Sequence, residues 1–438
     1  YHCLSSGINA EYMGGVVRGQ VTELSWPHVI FLLECVPATD PQRVIEIIVI
    51  GRFIYKIQRH LTNGDGSLER LLDEHIFSVI FSLTPCHCAL SAPILPLGRA
   101  EASLGSGGMA QKLMRALRID GYSAVGAADL KHVEVPVPSP TKGELLLKVE
   151  AVSLNPVDWK IQKGTFRPLI PRKFPFTPAT DVAGEVVEIG PQVKNFKHGD
   201  KVVAILNHAV GGGLAEFAIA SETLTAQRLP SVSAAEAAAL PVAGLTAHQA
   251  LVQYAGIHLD PSGPRKNILV TAASGGVGHY AVQLAKLGNN HVTATCGARN
   301  LDLVKSLGAD EVLDYKTPDG AALRSPSGKK YDAVVHCATG IPWSTFDPNL
   351  GPDGKVVDIT PGVGAMMTFA LKKLTFSKKQ LMPLLLSAKA ENLSYLVKLS
   401  SEGQLKTLID SRYPLSKGED GWARSMEGHA TGKIIIEP

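Results

Sequence analysis

The chain has 438 residues, 45% of them apolar and 19% charged, with a formal net charge of +3. That length accommodates two domains or more with sizeable cores, and the composition is that of an ordinary globular protein rather than a disordered or fibrous one. The charge is too mild to argue for a nucleic-acid partner, and no arginine-rich helix or aromatic-interleaved basic run supports one.

Residues 1–108 read differently from the rest. The apolar run Arg43 to Ile57 shows neither a helical period nor strand alternation. From Ile76 to Leu97 there is no charge other than His87, over a length that nominally spans a bilayer, but Pro85, Pro93 and Pro96 break it. Asp65, Glu69, Asp73 and Glu74 are too acidic for a transit peptide. The segment is expected to be a disordered extension or untranslated or intronic sequence carried into the chain, ended by Ser106-Gly107-Gly108, with Met109-Ala110 as the true start. It also holds Cys3, Cys35, Cys86 and Cys88, leaving Cys296 and Cys337 for the remainder. None forms a C-x-x-C pair, so neither a zinc ribbon nor a disulfide framework is indicated, and the two isolated cysteines fit a reducing compartment.

From Met114 short strands and turns follow. Leu130 to Val137 is a strand with Pro136 and Pro138 at its exit, and Glu144 to Val152 alternates Leu145, Leu147, Val149 and Ala151 against their neighbours. Asp181 to Ile189 and Lys201 to Leu206 are further strands, punctuated by Gly190-Pro191 and His198-Gly199-Asp200. A helical stretch, Ala234 to Leu251, leads into alternation: strands Ile268–Thr271, His291–Thr295, Glu311–Asp314, Asp332–His336 and Val356–Thr360, with helices such as Leu301 to Leu307, stopped by Gly308, between them. Such alternation implies a parallel, doubly wound sheet. The expected fold is α/β: a β-rich catalytic domain over 109–235, a Rossmann cofactor domain over 236–388, and a return to the first domain over 389–438.

Within the alternating region, Val270-Thr271-Ala272-Ala273-Ser274-Gly275-Gly276-Val277-Gly278 joins a β-rich run to a helix with Val277, Ala281, Leu284 and Ala285 on one face and Gly288 at its end. A glycine turn in strand–turn–helix context marks a dinucleotide site. Ser274, Gly275, Gly276, Val277 and Gly278 let the backbone approach a pyrophosphate at a helix N-terminus. An NAD site places a carboxylate about 20 residues on. Here the second strand ends Thr295-Cys296-Gly297-Ala298-Arg299-Asn300, with no acid before Asp302. Gly297 and Arg299 therefore suit a 2′-phosphate and NADPH. In the alternative, Asn300 caps the next helix and Arg299 is a solvated surface residue.

Asn155-Pro156-Val157-Asp158, Ala179-Thr180-Asp181-Val182-Ala183-Gly184, Gly199-Asp200-Lys201-Val202, Leu240-Pro241-Val242-Ala243-Gly244-Leu245-Thr246-Ala247 and the glycine turn occur in this order. With them the chain resembles the zinc-free quinone oxidoreductase branch of the medium-chain dehydrogenase/reductase superfamily. Ser153 to Gly164 and Gly428 to Lys433 carry a likeness to the plant chloroplast-envelope members of that branch. The resemblance spans 109–438 and implies a GroES-like first domain. Zinc-dependent members use a cysteine and a histidine where this chain has Asn155 and Thr180, and Asp200 runs directly into a strand with no four-cysteine lobe. No zinc site is therefore expected, and His198, His208 and His248 read as surface or loop residues.

The resemblance implies catalytic roles at Asn155, Asp158 and Lys160. Lys160 contacts cofactor and substrate in related reductases, and Asn155 suits the nicotinamide ribose. Asp158 is equally readable as structural, holding its loop through backbone N–H groups. Thr246 either caps a helix start or touches the cofactor. Tyr315 lies near the adenosine 2′-phosphate or is a plain core aromatic. Lys433 reaches the cofactor ribose or is a solvated strand-end lysine. His336 to Gly340 end the fourth strand, where backbone lines the nicotinamide crevice.

Without a Lewis acid, hydride delivery to an isolated carbonyl loses several kcal/mol of charge stabilisation, whereas an enone or quinone delocalises the incoming charge. The expected activity is NADPH-dependent reduction of α,β-unsaturated carbonyls (enones, ketols) or quinones. An enoyl-thioester reductase would need a tyrosine acid near the Asn155 loop, and none occurs between Val152 and Asp181. The alternative is an NADPH-binding sensing or structural protein with little turnover. Leu371 to Lys379 carries four lysines, which read either as an anionic-lipid contact or as a solvated rim beside a subunit interface. The resemblance further implies a homodimer and a chloroplast location at the inner envelope surface, with the cytoplasm as alternative. The loops Gly164 to Pro175 and Gly211 to Leu214 carry few diagnostic side chains.

Overall fold

A computed structural model describes residues 8–13, 16–21, 112–167, 172–208 and 210–438. The chain divides into two units, residues 1–102 and 103–438. In the first, Ile8–Met13 and Val16–Val21 pair antiparallel, from Ile8 opposite Val21 to Met13 opposite Val16. The bilayer-length segment 76–97 lies outside the described residues, among which no helix is long and apolar enough to cross a membrane.

The second unit is built on two large sheets. One runs in the order Ile409–Pro414, Lys433–Glu437, Glu144–Leu154, Asp181–Ile189, Lys201–Ile205, Thr225–Gln227, with Phe217–Ser221 also pairing Glu144–Leu154. Its centre is the long strand Glu144–Leu154, whose alternating apolar residues feed a core with Leu117, Val182, Val202 and Trp422. The last strand crosses back into this sheet, Ile434 opposite Leu154, so the tail completes the domain begun at residue 113.

The other sheet is parallel and six-stranded, in the order Glu311–Asp314, His291–Cys296, Asn267–Val270, Tyr331–His336, Leu350–Asp358, Gln380–Pro383. Numbered along the chain this is 3-2-1-4-5-6, the dinucleotide-fold order, and its winding reverses between Asn267–Val270 and Tyr331–His336. Every residue of His291–Cys296 is buried, as a strand covered by helices on both faces requires.

Two helical expectations need correction. Ala234 to Leu251 is two helices, Ala234–Ala238 and Pro241–Gln249, followed by a π-helical turn over Ala250–Ala255. Pro241 is the cause: with no N–H to donate it starts a helix rather than continuing one, while Ser233 and Glu236 form a capping box for the first. The helix after the glycine turn, Gly278–Leu287, is buried from Gly278 to Ala285 instead of one-faced. Its outer side is covered by the tail, where Tyr280 Oη meets Thr407 Oγ1 (2.9 Å) and Gln283 Nε2 donates to Lys406 O (2.9 Å). The lysine-rich stretch starts in the last turn of the helix Val363–Leu374 and continues beyond it as turn and bend, with Leu371, Leu374 and Phe376 exposed. Three of its lysines are engaged locally, Lys372 over the Trp343 ring, Lys373 over the Phe369 ring and Lys379 with Asp347.

Candidate active site

The switch point of the parallel sheet is occupied by the glycine turn. Ala272 adopts φ 48°, and Gly275 N–H donates to Ala272 O (2.9 Å), turning the chain sharply. A Cβ on Gly278 would lie 2.3 Å from Ala272 O and 2.7 Å from Ala273 Cα, so glycine is what lets the helix begin this close to the strand. A Cβ on Gly276 would lie 3.3 Å from Lys433 Cδ. The tail clamps this turn: Gly432 N–H donates to Ser274 O (2.8 Å), and Asn300 Nδ2 donates to Ser274 Oγ (3.0 Å) and Thr431 Oγ1 (3.2 Å). The Asn300 side chain is thus a bridge and not the cap of the following helix. Val277 precedes the helix Gly278–Leu287 and packs against the core.

Along the same edge, Gly297 opens the turn after the second strand, and Arg299 is exposed, with Nη2 donating to His429 O (2.7 Å). Tyr315 is 49% exposed, which overturns its reading as a core aromatic. Its ring lies against Gly297, where an added Cβ would be 3.5 Å away. His336 is buried against Phe346. Thr271 Oγ1 accepts the Cys337 and Ala338 N–H groups (2.9 and 3.2 Å), which directs its own proton to His336 Nδ1 (2.9 Å). Burial lowers the His336 pKa to about 4, so the ring is neutral with its proton on Nε2. Its evident work is to fix the end of the fourth strand.

The opposite wall comes from the first domain. Helix Pro156–Gln162 has Asn155 at its N-cap, and the Ile434–Leu154 pairing delivers Lys433 to the same point. Lys433 is 3% exposed and donates from Nζ to Asn155 Oδ1 (2.5 Å) and Leu154 O (3.1 Å), which overturns the solvated strand-end reading. Asn155 Nδ2 donates to Asp181 Oδ2 (2.9 Å) and Ser153 O (3.4 Å), so both amide hydrogens are engaged and only acceptor capacity is left. Asp158 Oδ2 accepts the Asn155 N–H (2.8 Å), the loop-holding role. Asp181 Oδ2 also accepts the Val242 N–H (3.1 Å).

Burial, reinforced by Asp181, raises the Asp158 carboxyl to about 7, and burial raises Asp181 to about 6 against the pull of Lys433. Desolvation lowers the Lys433 ammonium while the two carboxylates oppose it. Lys160, on the same helix, is half-buried; desolvation lowers its pKa and Asp358, at the carboxyl end of the fifth strand, raises it. Thr246 is buried within Pro241–Gln249 and not at a helix start, so capping is not its role. Asp358 is absent from the residues singled out in the sequence, and Asp181 stands there only inside a motif, with no role assigned to it. The available signal was an acid at the edge of an apolar strand in each case.

Residues 141–231 match the family described as alcohol dehydrogenase GroES-like domain, and residues 307–436 the one described as zinc-binding dehydrogenase. The chain is 72% identical over 330 residues to the quinone-oxidoreductase homolog, chloroplastic, of Spinacia oleracea, covering 75% of this chain and 100% of that one. To the NADPH-dependent alkenal/one oxidoreductase, chloroplastic, of Arabidopsis thaliana it is 32% identical over 329 residues, covering 72% and 78%. The solved quinone oxidoreductase from Coxiella burnetii superposes with a TM-score of 0.66 at 32% identity, covering 75% of this chain and 100% of that one.

Proposed function

This chain belongs to the medium-chain dehydrogenase/reductase superfamily, among the quinone oxidoreductase homologues, and we propose that it reduces α,β-unsaturated carbonyls or quinones with NADPH and without zinc. The observation that carries this reading is the facing of two walls: the glycine turn and strand ends on one side, Asn155, Lys160 and Lys433 on the other.

The cradle fits a dinucleotide. Backbone N–H groups of Ser274, Gly276, Val277 and Gly278, at the N-terminus of a ten-residue helix, suit the pyrophosphate, while Gly275 closes the turn. Gly297, Arg299 and Tyr315 suit the adenosine end, and no carboxylate stands where an NAD ribose would be held, which favours NADPH. Thr246, the strand end at His336 and Lys433 complete the nicotinamide side. When bound, the cofactor supplies the hydride. Lys160, partly desolvated, is the cation placed to hold the substrate oxygen or a cofactor phosphate as charge develops. Asn155, locked by Asp158 and Asp181, positions Lys433 and offers its remaining oxygen lone pair to a ribose hydroxyl.

Zinc independence rests on the donor set. Asn155 stands at a ligand position with its amide engaged in the buried network, and Thr180 offers a hydroxyl where zinc takes imidazole. The relatives' names add a chloroplast location; a homodimer joined through the nucleotide domain, with peripheral contact to the inner envelope membrane, completes the proposal.

The test is loss of nicotinamide absorbance with purified protein, NADPH or NADH, and a short enal, a long-chain conjugated ketone or a quinone. Turnover with NADPH and at least one acceptor is expected. Tight NADPH binding with no consumption by any acceptor would overturn the reductase reading in favour of sensing or a structural role.

A further inference from the structure

We propose that Arg172 anchors a carboxylate of the substrate, so that the preferred conjugated carbonyls carry a free acid group. The inference rests on the reductase reading above and names its substrate class. Arg172 lies in a loop whose sequence carries no recognisable pattern, yet its position is closely defined. Its backbone N–H donates to Tyr122 Oη (2.7 Å), and the Tyr122 ring meets Phe174 edge-on at 4.9 Å. The guanidinium carbon sits 5.0 Å above the Phe176 ring. Phe176 is itself locked by exchanging backbone hydrogen bonds with Ile119 (2.8 and 2.9 Å).

The head group so held is buried, Arg172 being 8% exposed, yet Nε, Nη1 and Nη2 all lack a hydrogen-bond partner and no ion pair reaches it among the described residues. An unpaired buried guanidinium is unfavourable by several kcal/mol, and folds retain one where something else supplies the acceptor. Asp158 is near enough for the two charges to act on each other, but its Oδ2 serves the Asn155 N–H and burial favours its protonated form. His208 also lies within reach of the Arg172 charge, and its Nδ1 is a second buried polar atom without a partner. Burial, and after it the Arg172 charge, lower the pKa of that imidazole.

A guanidinium is planar and holds its N–H groups in a fixed fork, the geometry that takes a carboxylate through two parallel bonds. A neutral carbonyl would satisfy one N–H and leave the charge unbalanced; a carboxylate answers both. Asp158 lies within range of the charges of both Arg172 and Lys433, which puts the guanidinium on the same wall as Lys433 beside the glycine turn, and the acid it takes is assigned on that ground to the molecule being reduced.

The test compares a medium-chain conjugated ketone bearing a terminal carboxylate with its methyl ester, using full-length protein and NADPH. The wild type is expected to favour the acid in kcat/KM by about tenfold or more, through KM. Arg172→Gln should reduce that acid-to-ester ratio by about tenfold, and Arg172→Lys should keep part of it. Equal kcat/KM for acid and ester in the wild type, or a ratio untouched by Arg172→Gln, overturns the proposal. So does an equal loss of kcat for both, which would place Arg172 on the shared carbonyl. A direct measurement guards against a variant that fails to fold and against failure of the reductase reading: calorimetry of octanoate and methyl octanoate with the wild-type protein and NADPH. Binding of octanoate alone supports the anchor even if neither ketone is reduced, and no preference for octanoate overturns it.

Discussion

Two glycines separated by one residue face different neighbours, and the difference sets what each tolerates. At Gly278 an added methyl collides with main chain, 2.3 Å from Ala272 O, so strand and helix must separate. At Gly276 the neighbour is a methylene of Lys433 at 3.3 Å, which needs to give by only a few tenths of an ångström. Gly278→Ala is expected to cost about 1–3 kcal/mol of stability, visible in the denaturant midpoint, and to weaken NADPH binding with it. Gly276→Ala is expected to leave the midpoint nearly in place while weakening NADPH binding, since the new methyl stands in the pyrophosphate cradle. Equal midpoints for the two variants would contradict this assignment. At the adenosine end, Arg299 has one nitrogen on His429 O and is otherwise turned outward. A guanidinium–phosphate bond contributes about 1.5–3 kcal/mol, so Arg299→Ala should lower NADPH affinity on the order of tenfold to a hundredfold and move NADH affinity far less. Parallel losses in titrations of the two nucleotides would remove Arg299 from the 2′-phosphate.

Helix Pro156–Gln162 carries Asn155 at one end and is fastened at the other by a single side chain. Gln162 donates from Nε2 to Gly126 O (2.8 Å) and accepts from Trp422 Nε1 (2.9 Å) on the tail helix Gly418–Met426. Gln162→Leu strands both partners in the core at about 1–3 kcal/mol each. A loss of about 2–5 kcal/mol in unfolding free energy is expected, together with a fall in kcat/KM as Lys160 and Asn155 lose their far anchor; a variant as stable as wild type would refute the fastening role. That helix also shows how far the sequence could be read. Elements with a strong period or glycine punctuation, such as Glu144–Leu154, Asp181–Ile189 and the first four parallel strands, were legible within a residue or two. Thr225–Gln227 and Gln380–Pro383 are too short for any period to register. The glycine turn was legible because its chemistry is local. The partners of Asn155 were legible only in part: Asp158, three residues on, was readable as the holder of its loop, whereas Asp181 and Lys433 arrive through strand pairings from 26 and 278 residues away, and Arg172 is buried by aromatic neighbours that no spacing rule links to it.

Those pairings give the whole molecule a buried charge cluster at the junction of its two sheets, where one ammonium, Lys433, serves two carboxylates. The imbalance has a signed consequence. Asp158, raised to about 7, and Asp181, raised to about 6, hold protons in the fold at pH values where the unfolded chain, near 3.8, has released them. The native state therefore binds more protons between about pH 4 and about 7, and their contribution to stability is fully present below the unfolded pKa and is lost as pH rises through the folded values. Lys433, lowered by burial, acts in the opposite sense at the alkaline end, where the unfolded chain binds the extra proton and stability rises with pH. Asp158→Asn removes one of these titrations and retains an oxygen for the Asn155 N–H. Its stability relative to wild type is expected to increase with pH from about 4 to about 7, by at most about 1.4 kcal/mol per pH unit, and then to level off. Denaturant unfolding of both proteins across that range measures the difference directly. Profiles that run parallel would mean that Asp158 is ionised throughout, with a counter-charge closer than the one Lys433 or Arg172 supplies.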